Sequence, residues 1–269
     1  MTTLPTTVAG IEKVSYNDIE QTLPHLVTAK ARNYQGGTTP VHHHPRAQLI
    51  YAGEGVMRVE TSAGSWVVPP LRGVWIPAGV DHQVVMLGTV AMRTLYFRLE
   101  AAPDLPDSCC LVEVRPLLRE LIYALVDEPV DYAQAGRGGL IAALVLKELR
   151  FLRAAALHLP VPTEPRLQKL CRALIDQPDS PETLETWADQ CATSSRTLAR
   201  LFHRETGMSF RHWRQQARLV EALGQLGKGE SVARVADRLG YRSPSAFTAM
   251  FKKAMGVEPS RYFEGDTPS

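Results

Sequence analysis

Histidines crowd one short stretch of this sequence, and imidazole is a common ligand for transition metals. The stretch reads VHHHPRAQL, residues 41–49, and sets three consecutive histidines and a glutamine among apolar residues. His42 and His44 are two positions apart, so a β-strand would turn both side chains to one face and His43 to the other. Such a pair could hold a catalytic metal, line the pocket of a regulatory ligand, or only bond internally.

A second set of polar residues lies in a repeat near the C-terminus. SSRTLARLFHRETG (194–207) and SPSAFTAMFKKAMG (243–256) match at an offset of 49 residues. Each copy begins with a serine suited to a helix N-cap and ends with a glycine suited to a helix stop, namely Ser194 and Gly207, and Ser243 and Gly256. Each copy also carries a core-facing apolar triplet at i, i+3 and i+4, namely Leu198, Leu201 and Phe202, and Phe247, Met250 and Phe251.

The faces opposite these triplets determine what the two helices could bind. The first carries Arg196, Ala199, Arg200 and His203, and arginine in the major groove of DNA can make a bidentate contact to guanine. The second carries smaller or more distant groups, namely Ser245, Thr248, Ala249 and Lys252. Small residues can touch thymine methyl groups and lysine can hold phosphate, so this is a poorer reading surface. The alternative is that both are solvated helix faces.

Each repeat follows a short predicted helix that ends in a turn. LETWADQCATS precedes the first copy and SVARVADRLGYRS precedes the second. Ala188 and Ala236 are small enough to let two helices cross closely. Helix, tight turn and helix in this order indicate a helix-turn-helix unit, and two copies with the same cap, triplet and glycine make that interpretation much more specific than one.

Net charge separates the chain into two parts. Residues 1–160 carry 14 Lys and Arg against 15 Asp and Glu, a net of −1, whereas residues 194–262 carry 13 against 5, a net of +8. A concentrated positive field suits a polyanion such as nucleic acid. The N-terminus has no basic start followed by an apolar core, and the four cysteines form no pairing framework, so we expect a cytoplasmic protein that does not enter the membrane.

The residue pattern also changes period along the chain. From about residue 25 to 100 it is β-rich and punctuated by glycine and proline, and AQLIYAGEGVMRVET predicts two strands around a Gly-Glu-Gly turn. PLLRELIYALVDE (116–128) and GLIAALVLKELRFLRAAAL (139–157) then predict amphipathic helices. We expect the leucines of the second helix to cover the barrel or to pair with a second copy of the chain, namely Leu140, Leu144, Leu146, Leu149 and Leu152.

These patterns predict an α+β protein of two domains. The predicted segments are a β-barrel over residues 1–110, a helical dimerisation segment over 111–158, a proline-rich linker over 159–165 and an all-α DNA-binding domain over 166–263. The linker LPVPTEP has three prolines in seven residues and resists helix formation.

The helical repeat resembles the AraC/XylS-type transcriptional regulators over about 100 residues, from Glu164 to Phe263. Its most specific stretch is GYRSPSAFTAMFKKAMGVEPSRYF. The resemblance implies two helix-turn-helix units joined by the long helix RHWRQQARLVEALGQLG, with both recognition helices in successive major grooves of promoter DNA. The DNA-contacting residues predicted from the faces and the resemblance are Ser195, Arg196, Thr197, Arg200, His203, Ser245, Thr248, Ala249 and Lys252.

The chain departs from that family pattern at two positions. Ala192 stands in the first turn, where glycine is common, and Ala249 stands where the family often has arginine. The second departure predicts weaker base reading by the second unit. The resemblance leaves open whether the protein is an activator or a repressor. Within the family, HHHPRAQLIYAGEGVMRVET, GVWIPAGVDHQV and MRTLYF resemble a subgroup of nitroimidazole-resistance regulators, which implies control of a neighbouring gene such as that of a transporter.

The histidine stretch, followed some forty residues later by WIPAGVDH, resembles the two halves of the cupin motif. The ligand positions implied by that resemblance are His42, His44, Gln48 and His82, with Pro77 and Gly79 in the P-x-G turn. Gln48 stands where many metal cupins have glutamate, which removes an anionic ligand but leaves a three-histidine site for Zn²⁺, Ni²⁺ or Fe²⁺. The alternative is a small-molecule effector pocket that holds no metal.

A different class of protein is compatible with the barrel alone. A cupin barrel with three histidines could be a metal-dependent dioxygenase or isomerase with a helical appendage. An enzyme does not need a duplicated, capped helix pair with arginines on its free faces, so we favour a regulator that acts as a homodimer and is not an enzyme. No Ser/His/Asp arrangement, phosphate loop or paired carboxylate motif is visible elsewhere in the sequence.

Overall fold

The computed structural model describes residues 14–15, 19–69, 71–101, 105–152 and 158–262. Within these ranges the chain forms two compact units, one of residues 14–61 and 66–152, the other of residues 62–65 and 158–262. Residues 1–13 of the predicted barrel and Phe263, the predicted end of the DNA-binding domain, lie outside the described residues. The two-domain α+β prediction is confirmed, while the proposed boundaries at 110, 158 and 165 stay predictions.

The N-terminal unit is a curled antiparallel sheet. Its strands are β1 (Val14–Ser15), β2 (Val27–Thr38), β3 (His42–His43), β4 (Ala47–Glu54), β5 (Met57–Thr61), β6 (Gly64–Val68), β7 (Arg72–Ile76), β8 (His82–Phe97), β9 (Cys110–Glu113) and β10 (Phe151–Leu152). The order through most of the sheet is β10-β9-β7-β4-β8-β5-β6. The predicted pair of strands around the Gly-Glu-Gly turn is therefore present as β4 and β5.

The long strand β8 organises the sheet. Along one edge it pairs with β2, and along the other it pairs with β4 near its C-terminal end and with β5 near its start. Leu49 of β4 lies opposite Leu95 of β8, and His42 of β3 lies opposite His82. Side chains alternate across a strand, so this register brings one set of alternate residues from each strand to the inside of the curl.

Two helices, α2 (Pro116–Val126) and α3 (Arg137–Glu148), follow the sheet and belong to the same hydrophobic core. Pro116 opens α2 at a position where its missing N–H costs nothing. Ile141, Ala142 and Val145 form the buried face of α3. These side chains share the core with Trp75, whose indole N–H donates to the Pro106 carbonyl at 2.9 Å.

The helix predicted over residues 139–157 is wrong from Leu149 to Leu152. Leu149 has extended backbone angles, φ −61° and ψ 124°, and ends α3. Phe151 and Leu152 then form β10, which pairs with β9, and the Phe151 ring packs edge-on against Trp75 at 5.5 Å. Sheet pairing and this aromatic contact therefore override the local helical pattern. Residues 153–157 of the prediction lie outside the described residues.

The C-terminal unit is helical. After strand β11 (His158–Pro160) its helices are α4 (Pro165–Asp176), α5 (Leu184–Gln190), α6 (Ser195–Thr206), α7 (Phe210–Gly227), α8 (Val232–Arg238), α9 (Pro244–Met255) and α10 (Pro259–Tyr262). One core holds α4 to α7 around Trp213, whose indole N–H donates to the Pro160 carbonyl at 2.9 Å. A four-residue helix, α1 (Ile19–Thr22), precedes β2 in the N-terminal unit.

Serine begins each of the four helices α6 to α9. Its hydroxyl accepts a hydrogen bond from a backbone N–H in the first turn, and the caps are Ser194, Ser209, Ser231 and Ser243. Such a cap stabilises a helix by ~1 kcal/mol because it satisfies a donor that has no partner within the helix. Gly207 and Gly256 end α6 and α9 with φ of 69° and 83°, so both predicted copies of the repeat are confirmed as capped helices.

None of the helices that the structure describes is long and apolar enough to cross a bilayer.

Candidate DNA-reading helices and metal centre

Three histidines come together inside the curled sheet. His42, His44 and His82 are buried, with exposed fractions of 6, 4 and 2%. One nitrogen from each ring lies within 4.8 Å of those of the other two. The ring centres of His42 and His82 are 4.4 Å apart, and those of His42 and His44 are 4.9 Å apart. Three imidazole nitrogens at such separations can bind one cation between them.

Backbone carbonyls determine which nitrogen of two of these rings carries the proton. His42 Nδ1 lies 2.8 Å from the Pro40 oxygen, and His82 Nδ1 lies 2.8 Å from the Val80 oxygen. A carbonyl can only accept, so Nδ1 of each ring must donate a proton and Nε2 keeps its lone pair. Metal-binding histidines commonly use this arrangement, which orients the ring and raises its basicity.

The middle histidine of the opening stretch, His43, faces away from this group. Its Nδ1 lies 3.1 Å from Asp81 Oδ1, and about a third of its side chain is exposed. The alternation of side chains along β3 explains why His42 and His43 point to opposite sides.

Gly79 supports the histidine group from the turn before β8. Its backbone N–H donates to the His44 carbonyl at 2.8 Å, and its φ of 75° lies in the left-handed region that favours glycine. This turn is the P-x-G segment predicted from the sequence. It holds the loop before His82 against the strand end that carries His44.

Burial lowers the pKa of His82 to about 4, because the imidazolium ion loses its hydration inside the sheet. The hydrogen bond to Val80 opposes this shift only in part. At neutral pH His82 is therefore uncharged, which is the form that binds a metal.

A small cavity adjoins His42 and His44. Its volume is about 40 Å³, and Gln48 and Ile50 of β4 are among its lining residues. An ordinary organic ligand needs a pocket of about 300–1,000 Å³, whereas one water needs about 10–15 Å³ on the same kind of measure. The cavity therefore matches a metal ion with a few small ligand atoms.

Six further lining residues were not predicted from the sequence. Lys30, Arg32 and Tyr34 come from β2, while Met92, Thr94 and Tyr96 come from β8. In each strand the three residues alternate with residues that point elsewhere. The period of two in KARNY and MRTLY was visible in the sequence, but nothing in it showed that both strands flank the histidines.

The side chains present fit a divalent transition metal. Gln48 is buried, and neither its Oε1 nor His82 Nε2 has a hydrogen-bond partner among the described residues. A buried polar atom without a partner is costly, and a bound ion would remove that cost. Three neutral imidazoles with one carbonyl oxygen form a donor set that suits Zn²⁺, Ni²⁺ or Fe²⁺ better than Ca²⁺ or Mg²⁺.

The first recognition helix, α6, separates its buried and exposed faces as predicted. Leu198 and Phe202 are buried, with Leu201 half-buried beside them. Its polar side carries the residues predicted to contact DNA: Arg196, Thr197, Arg200 and His203 are exposed, and Ser195 is half-buried.

The second recognition helix, α9, has the same division of faces. Phe247 and Phe251 are fully buried and Met250 is half-buried. Ser245, Ala249 and Lys252 are exposed, and Thr248 is half-buried. The Lys252 ammonium group pairs with Glu258 at 3.1 Å, so part of its charge is already balanced.

Two arginines of α7 contribute to the net positive charge of residues 194–262 but form hydrogen bonds within the protein. Arg214 donates to the carbonyls of Ser180 and Glu182, and Arg218 donates to that of Pro178. These bonds tie α7 to the loop between α4 and α5. The two guanidinium groups therefore have a structural role, which the net charge alone could not distinguish from DNA binding.

A curled sheet with a small buried site, together with a duplicated helix-turn-helix unit, defines a ligand-responsive transcriptional regulator as the class of protein. The AraC-like ligand binding domain matches residues 24–188, and the helix-turn-helix domain matches residues 187–265. The chain belongs to the AraC family of transcriptional regulators.

Two relatives, NimR and RhaR, agree with this family. The chain is 38% identical over 225 residues to the HTH-type transcriptional regulator NimR of Escherichia coli, covering 84% of this chain and 82% of the relative. It is 30% identical over 249 residues to the HTH-type transcriptional activator RhaR of Pectobacterium atrosepticum, covering 83% and 85%. The structure of fatty-acid-bound ToxT from Vibrio cholerae aligns at 13% identity and a TM-score of 0.37 over 88% of this chain and 94% of that one.

Proposed function

We propose that this regulator binds promoter DNA through α6 and α9 and that a divalent metal at His42, His44 and His82 controls the binding. The observation that carries the first part is the capped repeat with exposed arginines on its first copy. The observation that carries the second part is the buried three-histidine group with two fixed Nε2 lone pairs.

Arg196 and Arg200 of α6 are the base-reading residues in this proposal. They are four positions apart, so their side chains leave the helix on the same side. Neither guanidinium forms an ion pair with another described residue, so binding to DNA does not require such a pair to break first. Each arginine can donate two hydrogen bonds to one guanine in the major groove.

The helix α9 positions the protein more than it reads bases. Its central exposed residue is Ala249, which offers only a methyl group, and Lys252 shares its charge with Glu258. Ser245 and Thr248 can reach either bases or phosphates with a hydroxyl group. We therefore assign most of the sequence preference to the half-site beneath α6.

The size of the cavity favours a metal over an organic effector that fills the pocket. A volume of about 40 Å³ is several-fold below that of an ordinary ligand pocket. The other possibility is an effector pocket without metal. Elemental analysis of protein purified without an affinity tag that binds metals distinguishes the two.

We infer a regulatory and not a catalytic use of this site. The cavity has no carboxylate among its described lining residues, so an acid–base pair of the usual carboxylate kind is not available there. NimR of Escherichia coli and RhaR of Pectobacterium atrosepticum, which match most of this chain, are named as transcriptional regulators. A regulator of promoter DNA acts in the cytoplasm, and control of a neighbouring transporter gene stays a prediction.

Dimerisation through α2 and α3 completes the proposal. Leu117, Leu140 and Leu144 are between half and two-thirds exposed, which is unusual for three large apolar side chains on two packed helices. Leu149 is buried instead, so the predicted leucine stripe divides between the core and the surface. We expect the exposed leucines to pack against the same face of a second copy.

Footprinting of the DNA upstream of the gene tests the proposed function. We expect protection of a site with two adjacent major grooves on one side of the duplex, and a change of affinity when Zn²⁺, Ni²⁺ or Fe²⁺ is added after chelation. Protection that never depends on metal would refute the regulatory part and leave DNA binding intact.

A further inference from the structure

The cavity beside the three histidines has no negative charge in its described lining. The lining side chains are neutral except for Lys30 and Arg32, which are cationic. Among the described residues, two acids outside the lining are paired with a base. Glu20 pairs with Lys30 at 3.2 Å, and Asp81 pairs with His43 at 3.1 Å.

A divalent metal in such a site keeps its full charge. Three imidazoles are neutral ligands, and the carbonyl of Gln48 is neutral as well. Burial of an uncompensated charge is strongly unfavourable, because the hydration that it loses is not replaced. A small anion would balance this charge, either hydroxide from a bound water or a carboxylate from outside the protein.

Thr94 provides a place for that group. Its side chain lines the cavity, is 1% exposed and has a hydroxyl oxygen without a hydrogen-bond partner among the described residues. A hydroxyl can donate to an anion. The cavity of about 40 Å³ has room for about three water-sized groups, which matches a planar carboxylate and is small for a tetrahedral phosphate.

The lining also reaches the protein surface. Thr94 and His44 are buried, whereas Arg32 of the same lining is exposed. A carboxylate can therefore enter the cavity while the remainder of a larger organic acid stays near β2 and Arg32.

We propose that the effector of this regulator is a small organic acid whose carboxylate enters the cavity and balances the charge of a metal held by His42, His44 and His82. The Thr94 hydroxyl donates a hydrogen bond to that carboxylate. This inference rests on the proposed metal function and adds the chemical class of the effector. The carboxylate and the metal bind cooperatively, since each lowers the cost of burying the other.

Cobalt(II) is the probe for the test, because its visible absorption reports on the ligands of the ion. Full-length protein is treated with chelator, loaded with Co²⁺ and titrated with formate, acetate and phosphate. We expect formate and acetate to shift the Co²⁺ spectrum with saturation and phosphate to leave it unchanged. By linkage, acetate must raise the Co²⁺ affinity by the same factor as Co²⁺ raises the acetate affinity.

Two substitutions separate the carboxylate from the metal. Gln48→Glu supplies a negative ligand from the protein, so it should tighten Co²⁺ binding about tenfold or more and abolish the acetate response. Thr94→Val keeps the shape of the side chain and should weaken acetate about tenfold with Co²⁺ affinity unchanged. Thr89→Val, on an exposed part of the same strand, is the matched control and should match the wild type.

The Co²⁺ experiment distinguishes failure of the metal function from failure of the carboxylate proposal. If the wild type and Gln48→Glu both fail to bind Co²⁺, the metal function is refuted and the effector class with it. If the wild type binds Co²⁺ but acetate and formate change neither its spectrum nor its affinity, the metal function stands and the carboxylate proposal is refuted. A phosphate response in place of an acetate response would also refute it.

Discussion

His42 and His82 lie directly opposite each other where β3 pairs with β8, and their ring centres are 4.4 Å apart. Each ring donates from Nδ1 to a backbone carbonyl two residues before it in the chain, Pro40 and Val80. The same local geometry occurs on two strands whose histidines are forty positions apart. As a result both rings keep the lone pair on Nε2.

Removal of any one of the three histidines should abolish tight metal binding. His42→Ala, His44→Ala and His82→Ala each delete about a third of the protein ligands, and a remaining pair holds the ion weakly. His43→Ala is the matched control, since His43 faces Asp81 and should bind like the wild type. Calorimetric titration with Zn²⁺ and Ni²⁺ measures the difference. Equal affinities for all four variants would show that the group is not a metal site.

Base reading by α6 predicts a loss confined to specific DNA. Arg200→Ala and Arg196→Ala should each weaken operator binding by ~1–3 kcal/mol and change affinity for a scrambled duplex much less. Arg204→Ala, on the same helix and paired with Glu205, is the control and should have a small effect. Fluorescence anisotropy at several salt concentrations measures the affinity for the operator and the affinity for the scrambled duplex. An operator affinity equal to that of the wild type in both variants would exclude this reading face.

Ala192 is strained in the turn between α5 and α6. Its φ of 50° places a Cβ in the left-handed region, at a cost of ~1–2 kcal/mol, where the turn before α9 uses Gly240 at φ 70°. Ala192→Gly should raise the free energy of unfolding of this unit by ~0.5–1 kcal/mol, because the entropy of glycine offsets part of the relief. Urea denaturation measures the change.

The reciprocal substitution is the control for that prediction. Gly240→Ala adds the same strain, and its Cβ would also lie 3.1 Å from Asp179 atoms. It should destabilise the unit by more than Ala192→Gly stabilises it. A destabilising effect of Ala192→Gly together with a stabilising effect of Gly240→Ala would contradict the interpretation of these turns.

Exposed leucines on α3 predict a dimer that two charges disrupt. Leu140→Glu with Leu144→Glu should give a folded monomer with weaker operator binding, because the two side chains are 66 and 51% exposed and support no core. Leu99→Glu, an exposed leucine outside α2 and α3, should remain dimeric. Sedimentation equilibrium at micromolar concentration is the measurement. A monomeric wild type would refute the proposed interface.

The lowered pKa of His82 predicts a loss of stability in mild acid. The folded-state pKa of about 4 lies below the ordinary value of 6.5, so between these values the unfolded chain binds more protons. For metal-free protein, the free energy of unfolding should be highest above pH 6.5 and fall by up to ~3 kcal/mol as the pH approaches 4. Urea denaturation from pH 7 to 4.5 measures this, and His82→Asn should give a flatter profile. If the free energy of unfolding of His82→Asn fell with pH as steeply as that of the wild type, His82 would not be the cause of the loss.

Local patterns predicted the two capped helices of the C-terminal repeat. Ser194 and Ser243 cap α6 and α9, and Phe202 and Phe251 occupy their buried faces. Caps and amphipathic faces depend on residues three or four positions apart, so both are visible in the sequence. The opposite directions of His42 and His43 were predictable as well, because successive side chains of a strand point to opposite faces.

Long-range contacts decided the rest. The end of α3 depends on Phe151 meeting Trp75, and the histidine cavity depends on β2 and β8 bringing Arg32 and Thr94 to the same space. Neither contact can be predicted from the few residues on either side of the side chains that make it. The sequence by itself determined the capped repeat and the histidine spacing, whereas the tertiary structure decided the burial of the histidines, the size of their cavity and the absence of an acid from its described lining. The physical reason is that capping and side-chain alternation are local properties of the backbone, while strand pairing and burial arise only when distant segments pack together.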